Sequence, residues 1–249
     1  GNRLRGEILQ REVDHLNWAN SVSRFLNDDS VEELKVQLDP AKCGFGKWYY
    51  GQGRKEAEAL IPELRPTLQE IEKHHTRLHQ SAEKIKKIFH RADPTLPGFL
   101  AQKEADHLAW SESVQNAILA HQRELKAQLD STKCGMGKFI YGEGGKKMVA
   151  SDEQLAMLMT KLEPAHRHLH QTGEAVRDAL GRGDFDAALQ AYQGPTRRAL
   201  GEVRGHLHKM QSRANELLNA KKEVDRIFSQ ETQVELHEVQ EHLGELSAM

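Results

Sequence analysis

Apolar residues recur at intervals of three and four along most of the chain, the period of an amphipathic helix. Val13, Leu16, Ala19, Val22 and Leu26 form one such series, and Leu64, Leu68, Ile71, Leu78, Ala82, Ile85 and Phe89 a second. Leu108, Val114, Ile118 and Leu125 follow, then Leu155, Leu158, Leu162, Leu169 and Val176. From Thr196 onward Val203, Leu207, Met210, Ala214 and Leu217, then Val224, Phe228, Leu236, Val239, Leu243 and Leu246, predict one long terminal helix. Between paired helices the glycine-rich segments around Cys43 and Cys134 are predicted as loops. Gly44, Gly46, Gly51 and Gly53 would each cost about 1 kcal/mol in a helix interior relative to alanine. Asp93-Pro94-Thr95-Leu96-Pro97, Gly181-Arg182-Gly183-Asp184 and Gly194-Pro195 read as punctuation. The expected class is all-α.

The pattern repeats. Residues 34–53 recur at 125–144 with thirteen of twenty positions identical, an offset of 91 that places both cysteines at equivalent sites. Asp14-His15-Leu16-Asn17-Trp18 returns as Asp106-His107-Leu108-Ala109-Trp110, and the pair His75/His79 returns as His166/His170. Three matches in one order indicate a tandem duplication. We therefore expect a first unit over 1–94, a second over 95–183, and a C-terminal helical segment over 184–249 leading out of the module.

Composition narrows the classes. Thirty-five Lys+Arg against 37 Asp+Glu leave a net charge of −2, without the basic excess of a nucleic-acid binder. Mean hydropathy is −0.70, and no segment approaches the ~18 apolar residues of a membrane span. No signal-peptide pattern is present, and the helical periodicity reaches both ends without a cap, so both terminal helices are expected to continue beyond this chain. Fourteen histidines stand beside only two cysteines, which excludes a disulfide scaffold and points to metal chemistry.

Each copy offers one set: His15, Cys43, His75, His79, and His107, Cys134, His166, His170. Histidines four apart on a helix project from one face and can chelate one ion. One thiolate and three imidazoles make a closed tetrahedral donor set that suits zinc and leaves no position for an activated water. A structural or sensory site is expected, not a hydrolytic one. Trp18, Trp48 and Trp110 are read as core packing, and His74 and His168 as solvent-facing or outer partners of the ligands. His90, His121, His206, His208, His237 and His242 lack repeat partners and carry no assigned role. The rival is a di-iron bundle, suggested by Glu12/His15, Glu72/His75, Glu104/His107 and Glu163/His166. It needs further repeated glutamates, which are missing, and makes no use of the duplicated cysteine.

The order His-x-x-Trp, Cys-x-Φ-Gly-x-Trp, His-x-x-x-His resembles the chemoreceptor zinc-binding (CZB) domain. It reads His15/Trp18, Cys43-Gly44-Phe45-Gly46-Lys47-Trp48 and His75/His79, then His107/Trp110, Cys134-Gly135-Met136-Gly137-Lys138-Phe139 and His166/His170, with Phe139 in place of the tryptophan. The resemblance covers roughly residues 8–182. It implies two consecutive four-helix-bundle units, one zinc ion each, and attachment to bacterial signalling proteins, chiefly methyl-accepting chemotaxis receptors.

On that basis the expectation is a zinc-binding sensory module of a chemotaxis receptor, not an enzyme. Metal occupancy or oxidation of the zinc-bound cysteine would change helix packing. The alternative is a structural, zinc-stapled interaction domain. The uncapped helix at each end leads to the further expectation of an extracytoplasmic, periplasmic receptor ectodomain, with a cytoplasmic module as the alternative, homodimeric in the full receptor. It would be joined to the membrane through flanking segments outside this chain.

Overall fold

The computed structural model describes residues 2–249. It is 81% helical, and the described residues contain no strand, so the class is all-α. In order the helices are α1 (Asn2–Asn27), α2 (Gly44–Tyr49), α3 (Gln52–Leu60), α4 (Leu64–Ile88), α5 (Leu96–Leu119), α6 (Gly135–Tyr141), α7 (Glu143–Ser151) and α8 (Glu153–Arg182). Then come α9 (Phe185–Ala191), a π-helical turn (Tyr192–Thr196), α10 (Arg197–Ile227), a second π-helical turn (Phe228–Thr232) and α11 (Gln233–Ala248).

The chain folds into two compact units: Gly1–Phe89 with Ala220–Met249, and His90–Asn219. In the first, α1, the short pair α2–α3, α4 and α11 surround one core. Leu68, Ile71, Leu78 and Ile85 of α4 are buried there with Val22 of α1 and Val239, Leu243 and Leu246 of α11. In the second, Leu100 of α5 and Leu155, Leu162 and Leu169 of α8 share a core with Val203, Leu207, Met210 and Leu217 of α10. Each unit thus takes its third long helix from the C-terminal segment, whose residues up to Asn219 lie in one unit and from Ala220 in the other.

Three details differ from the sequence reading. Val13 and Leu16 are exposed, whereas Ile8, His15, Trp18, Ala19, Val22 and Leu26 face the core of α1. At 3.6 residues per turn, positions 13 and 16 lie well round the helix from the line through His15. The cysteine segments are not loops throughout, because Gly44–Tyr49 and Gly135–Tyr141 are short helices. Gly46 and Gly137 are required there by close packing, since a Cβ would overlap the carbonyl oxygens of Pro40 and Ser131. Gly183 does act as a breaker, capping α8 with a left-handed φ of 76°. Gly194-Pro195 does not break the helix but sits inside a π-helical turn, where the wider turn accommodates a proline without its normal hydrogen bond.

Candidate metal centres

In the first unit, His15 of α1, Cys43 at the N-cap of α2, and His75 and His79 of α4 each bring one ligand atom within 4.8 Å of the others. His107, Cys134, His166 and His170 do the same in the second unit. All eight sequence-predicted site residues are therefore gathered, four and four. The six histidines are buried to 3% exposure or less, while both cysteines are only partly covered.

Backbone carbonyls orient the rings. His15 Nδ1 donates to the Arg11 carbonyl at 2.7 Å and His79 Nδ1 to that of Gln37 at 2.9 Å. A carbonyl only accepts, so the proton is on Nδ1 and the lone pair on Nε2 faces the constellation. Those Nε2 atoms are buried without a hydrogen-bond partner. The second unit repeats this: His107 Nδ1 donates to the Lys103 carbonyl at 2.6 Å and His170 Nδ1 to that of Gln128 at 2.9 Å, leaving both Nε2 atoms buried and unpaired. His75 Nε2 and His166 Nε2 each lie 3.1 Å from the cysteine sulfur of their own set. An unpaired buried acceptor is costly, and two of them converging beside one thiol in each cluster is an arrangement that a cation relieves.

The Gln37 carbonyl has a second donor, the Trp18 indole at 2.8 Å, and Trp110 donates likewise to Gln128 at 2.8 Å. Trp18 and Trp110 therefore do more than fill the core, because they fix the carbonyl that orients a candidate ligand, His79 or His170. Side-chain patterning carries no trace of this, since the shared atom is backbone. On the sulfur side, Cys43 Sγ accepts from the Gly46 amide at 3.2 Å and Cys134 Sγ from that of Gly137 at 3.3 Å.

The electrostatics match ligand duty. Burial, then neighbouring His15 and His79, pushes His75 down to about 2, and burial followed by His15 takes His79 to about 4. His166 falls to about 3 and His170 to about 4, with burial the leading cause in both, and burial also lowers His15 and His107. All six imidazoles are thus neutral donors at neutral pH. Burial raises both thiols, against the backbone amides of Gly46 and Phe45, or Gly137 and Met136. The competing protons at neutral pH sit on sulfur.

No carboxylate joins either set. Glu72 and Glu163 instead accept from the Tyr50 and Tyr141 hydroxyls at 2.7 and 2.6 Å, and Glu104 pairs with Arg204 and His208. Asp14 pairs with Arg11 at 3.0 Å, and Asp106 with Lys103. A three-nitrogen, one-sulfur donor set suits zinc and does not suit a carboxylate-bridged di-iron pair.

The family model of the chemoreceptor zinc-binding domain matches twice, over residues 15–86 and 107–177, together more than half of the chain. The chain belongs to the chemoreceptor zinc-binding family. It is a tandem member, binding two zinc ions per chain. No curated protein and no solved structure matches it. The family is a zinc-binding signalling domain and not a known enzyme family. Membership corrects the expectation of a periplasmic receptor ectodomain, because chemoreceptor zinc-binding domains are cytoplasmic. That expectation rested on helices running to both ends, which is compatible with any module inserted within a longer chain. No helix among the described residues is long and apolar enough to cross a membrane.

Proposed function

We propose that this chain is the zinc-responsive sensory module of a bacterial chemotaxis receptor. His15, Cys43, His75 and His79 hold one ion, and His107, Cys134, His166 and His170 the other. The observation that carries this reading is the set of buried, unpaired Nε2 atoms of His15, His79, His107 and His170 beside the two thiols. Zinc would supply a positive charge that the thiolate offsets only in part and that the three neutral imidazoles would coordinate through their lone pairs. Without it, burial must be relieved by repacking α1 against α4, and α5 against α8, which moves the helices leading out of each unit. The sequence repeats end near Asp93-Pro94 and Gly183-Asp184, and the segment 184–249 transmits the change to a homodimeric receptor.

A redox input has its own support, since the cysteines are the ligands that reach solvent. A peroxide-class oxidant would take the thiolate to sulfenic acid: sulfur gains an S–O bond, the O–O bond breaks, and hydroxide leaves. The purely structural alternative keeps zinc until the protein unfolds. Spin labels on α1 and α4, followed through chelation, zinc return and mild peroxide, decide between them. Sensing requires reversible zinc exchange with a helix displacement. Zinc retained until global unfolding, with unchanged label distances, would reject it.

A further inference from the structure

The C-terminal helical segment carries a second internal likeness, absent from the 91-residue repeat. Thr196, Glu202, Val203, His206 and Leu207 match Thr232, Glu238, Val239, His242 and Leu243 at an offset of 36. The two stretches play the same part in their respective units. His206 and His242 are therefore equivalent, yet their neighbours on the adjoining helix differ. Opposite His242 stands His74 of α4, and the residue at the equivalent point of α8 is Ala165.

Around His74 a distinct constellation forms. His74, Glu238 and His242 each offer a ligand atom within 4.8 Å of the others, all three half-buried. The rings of His74 and His242 lie 5.8 Å apart. Each ring is held from behind by a carboxylate: His74 Nδ1 by Glu235 at 2.6 Å, and His242 Nδ1 by Glu245 at 2.9 Å. This is the outer arrangement of metal-bound histidines, in which a carboxylate on Nδ1 fixes the tautomer and leaves a more basic Nε2 for the ion. Glu70, one turn before His74, adds a nearby negative charge, partly satisfied by Lys73 at 2.6 Å. Arg77 is the other cation at the edge, 3.9 Å from Glu235.

We propose that His74, Glu238 and His242 form a third metal site, confined to the first unit, for a divalent ion of the zinc class. Two imidazoles exclude magnesium and calcium as natural occupants. With three protein ligands, no thiolate and partial exposure, the site keeps an open position and exchanges faster than the two sulfur-containing centres. Its occupancy ties α11 directly to α4 one residue from His75, so a rise in free metal beyond the level that fills the first two sites gains a separate readout.

The test is a cobalt titration of the full chain already loaded with two equivalents of zinc. One further cobalt per chain is expected, with ligand-field absorption and no thiolate-to-cobalt charge transfer in the near ultraviolet. His242→Ala should abolish that equivalent while retaining two zinc ions, which also shows that the variant folds. Glu238→Gln, which leaves the His74–Glu235 pair intact, should weaken it by about tenfold or more. The Cys43→Ala, Cys134→Ala double variant should still bind it, separating this site from the two centres proposed above. Saturation without a third equivalent, its persistence in both His242→Ala and Glu238→Gln, or a thiolate band in its spectrum would overturn the assignment.

Discussion

The two copies have diverged by paired changes rather than single ones. Trp48 donates to Glu7 at 3.2 Å in the first unit, whereas the equivalent Phe139 packs on Phe99 with ring centres 4.5 Å apart. Ser111 and Tyr192 share a 3.0 Å hydrogen bond in the second unit, and Ala19 and Phe228 occupy the matching positions in the first. Swapping one member alone leaves a polar group without its partner, so Glu7→Phe and Trp48→Phe together should cost less than the sum of the single changes in a double-mutant cycle of thermal unfolding. At the metal centres, Cys43→Ala should lower zinc content from two to one per chain; an unchanged content in metal analysis would refute the ligand assignment. Trp18→Phe keeps the ring but removes the donor that holds the Gln37 carbonyl, and should weaken zinc at the first centre about 10- to 100-fold in chelator competition. The two His/Cys/His/His clusters are legible in the sequence because duplication marks them. The indole–carbonyl–imidazole relay is not, because its central atom belongs to every residue alike.

The elements show where periodicity succeeds and where it misleads. Helices α4 and α8 follow their apolar series closely, with His75, His79, His166 and His170 on the same buried stripe. On α1 a chain of apolar residues through Val13 and Leu16 competes with the true core line, which contains a histidine and is therefore less apolar by composition than by position. By helix cost alone the glycines near Cys43 favour a loop, but at Gly46 the close approach of the Pro40 carbonyl is what requires a glycine within a short helix. Element starts also differ between copies: Asp152 caps α8 through the Leu155 amide at 2.9 Å and receives two bonds from Arg213, at 3.1 and 2.7 Å, while Ile61 occupies the equivalent position before α4. Arg213 holds that carboxyl below the usual carboxylate range. Asp152→Ala removes both the cap and the partner of a partly buried arginine, and should destabilise the second unit by about 2–4 kcal/mol in denaturant unfolding, with little effect on the first.

For the whole molecule, six buried neutral histidines make the metal-free protein sensitive to acid. Their folded pKa values lie below the usual 6.5, so the unfolded chain binds more protons as pH falls beneath that value. Stability is full above about 6.5 and declines as pH drops toward about 4, where His79 and His170 begin to protonate in the folded state. Thermal unfolding of chelator-treated protein across that range should show the fall; a flat profile would mean that the imidazoles are not buried and neutral. Nothing in the 91-residue repeat indicates that each unit takes its third long helix from the C-terminal segment. That dependence was recorded only in the weaker likeness between the two stretches of that segment. It bears on how the protein is made. During synthesis α1 to α4 leave the ribosome first, with every helix of their unit except the C-terminal one and with the whole His15, Cys43, His75 and His79 cluster. Val239, Leu243 and Leu246, which cover that core, arrive only after the second unit has all of its helices. The usual N-terminal-first order of domain completion is thereby reversed. Until translation passes Ala220, the nascent first unit has an uncovered apolar face, while its His15, Cys43, His75 and His79 cluster is already complete.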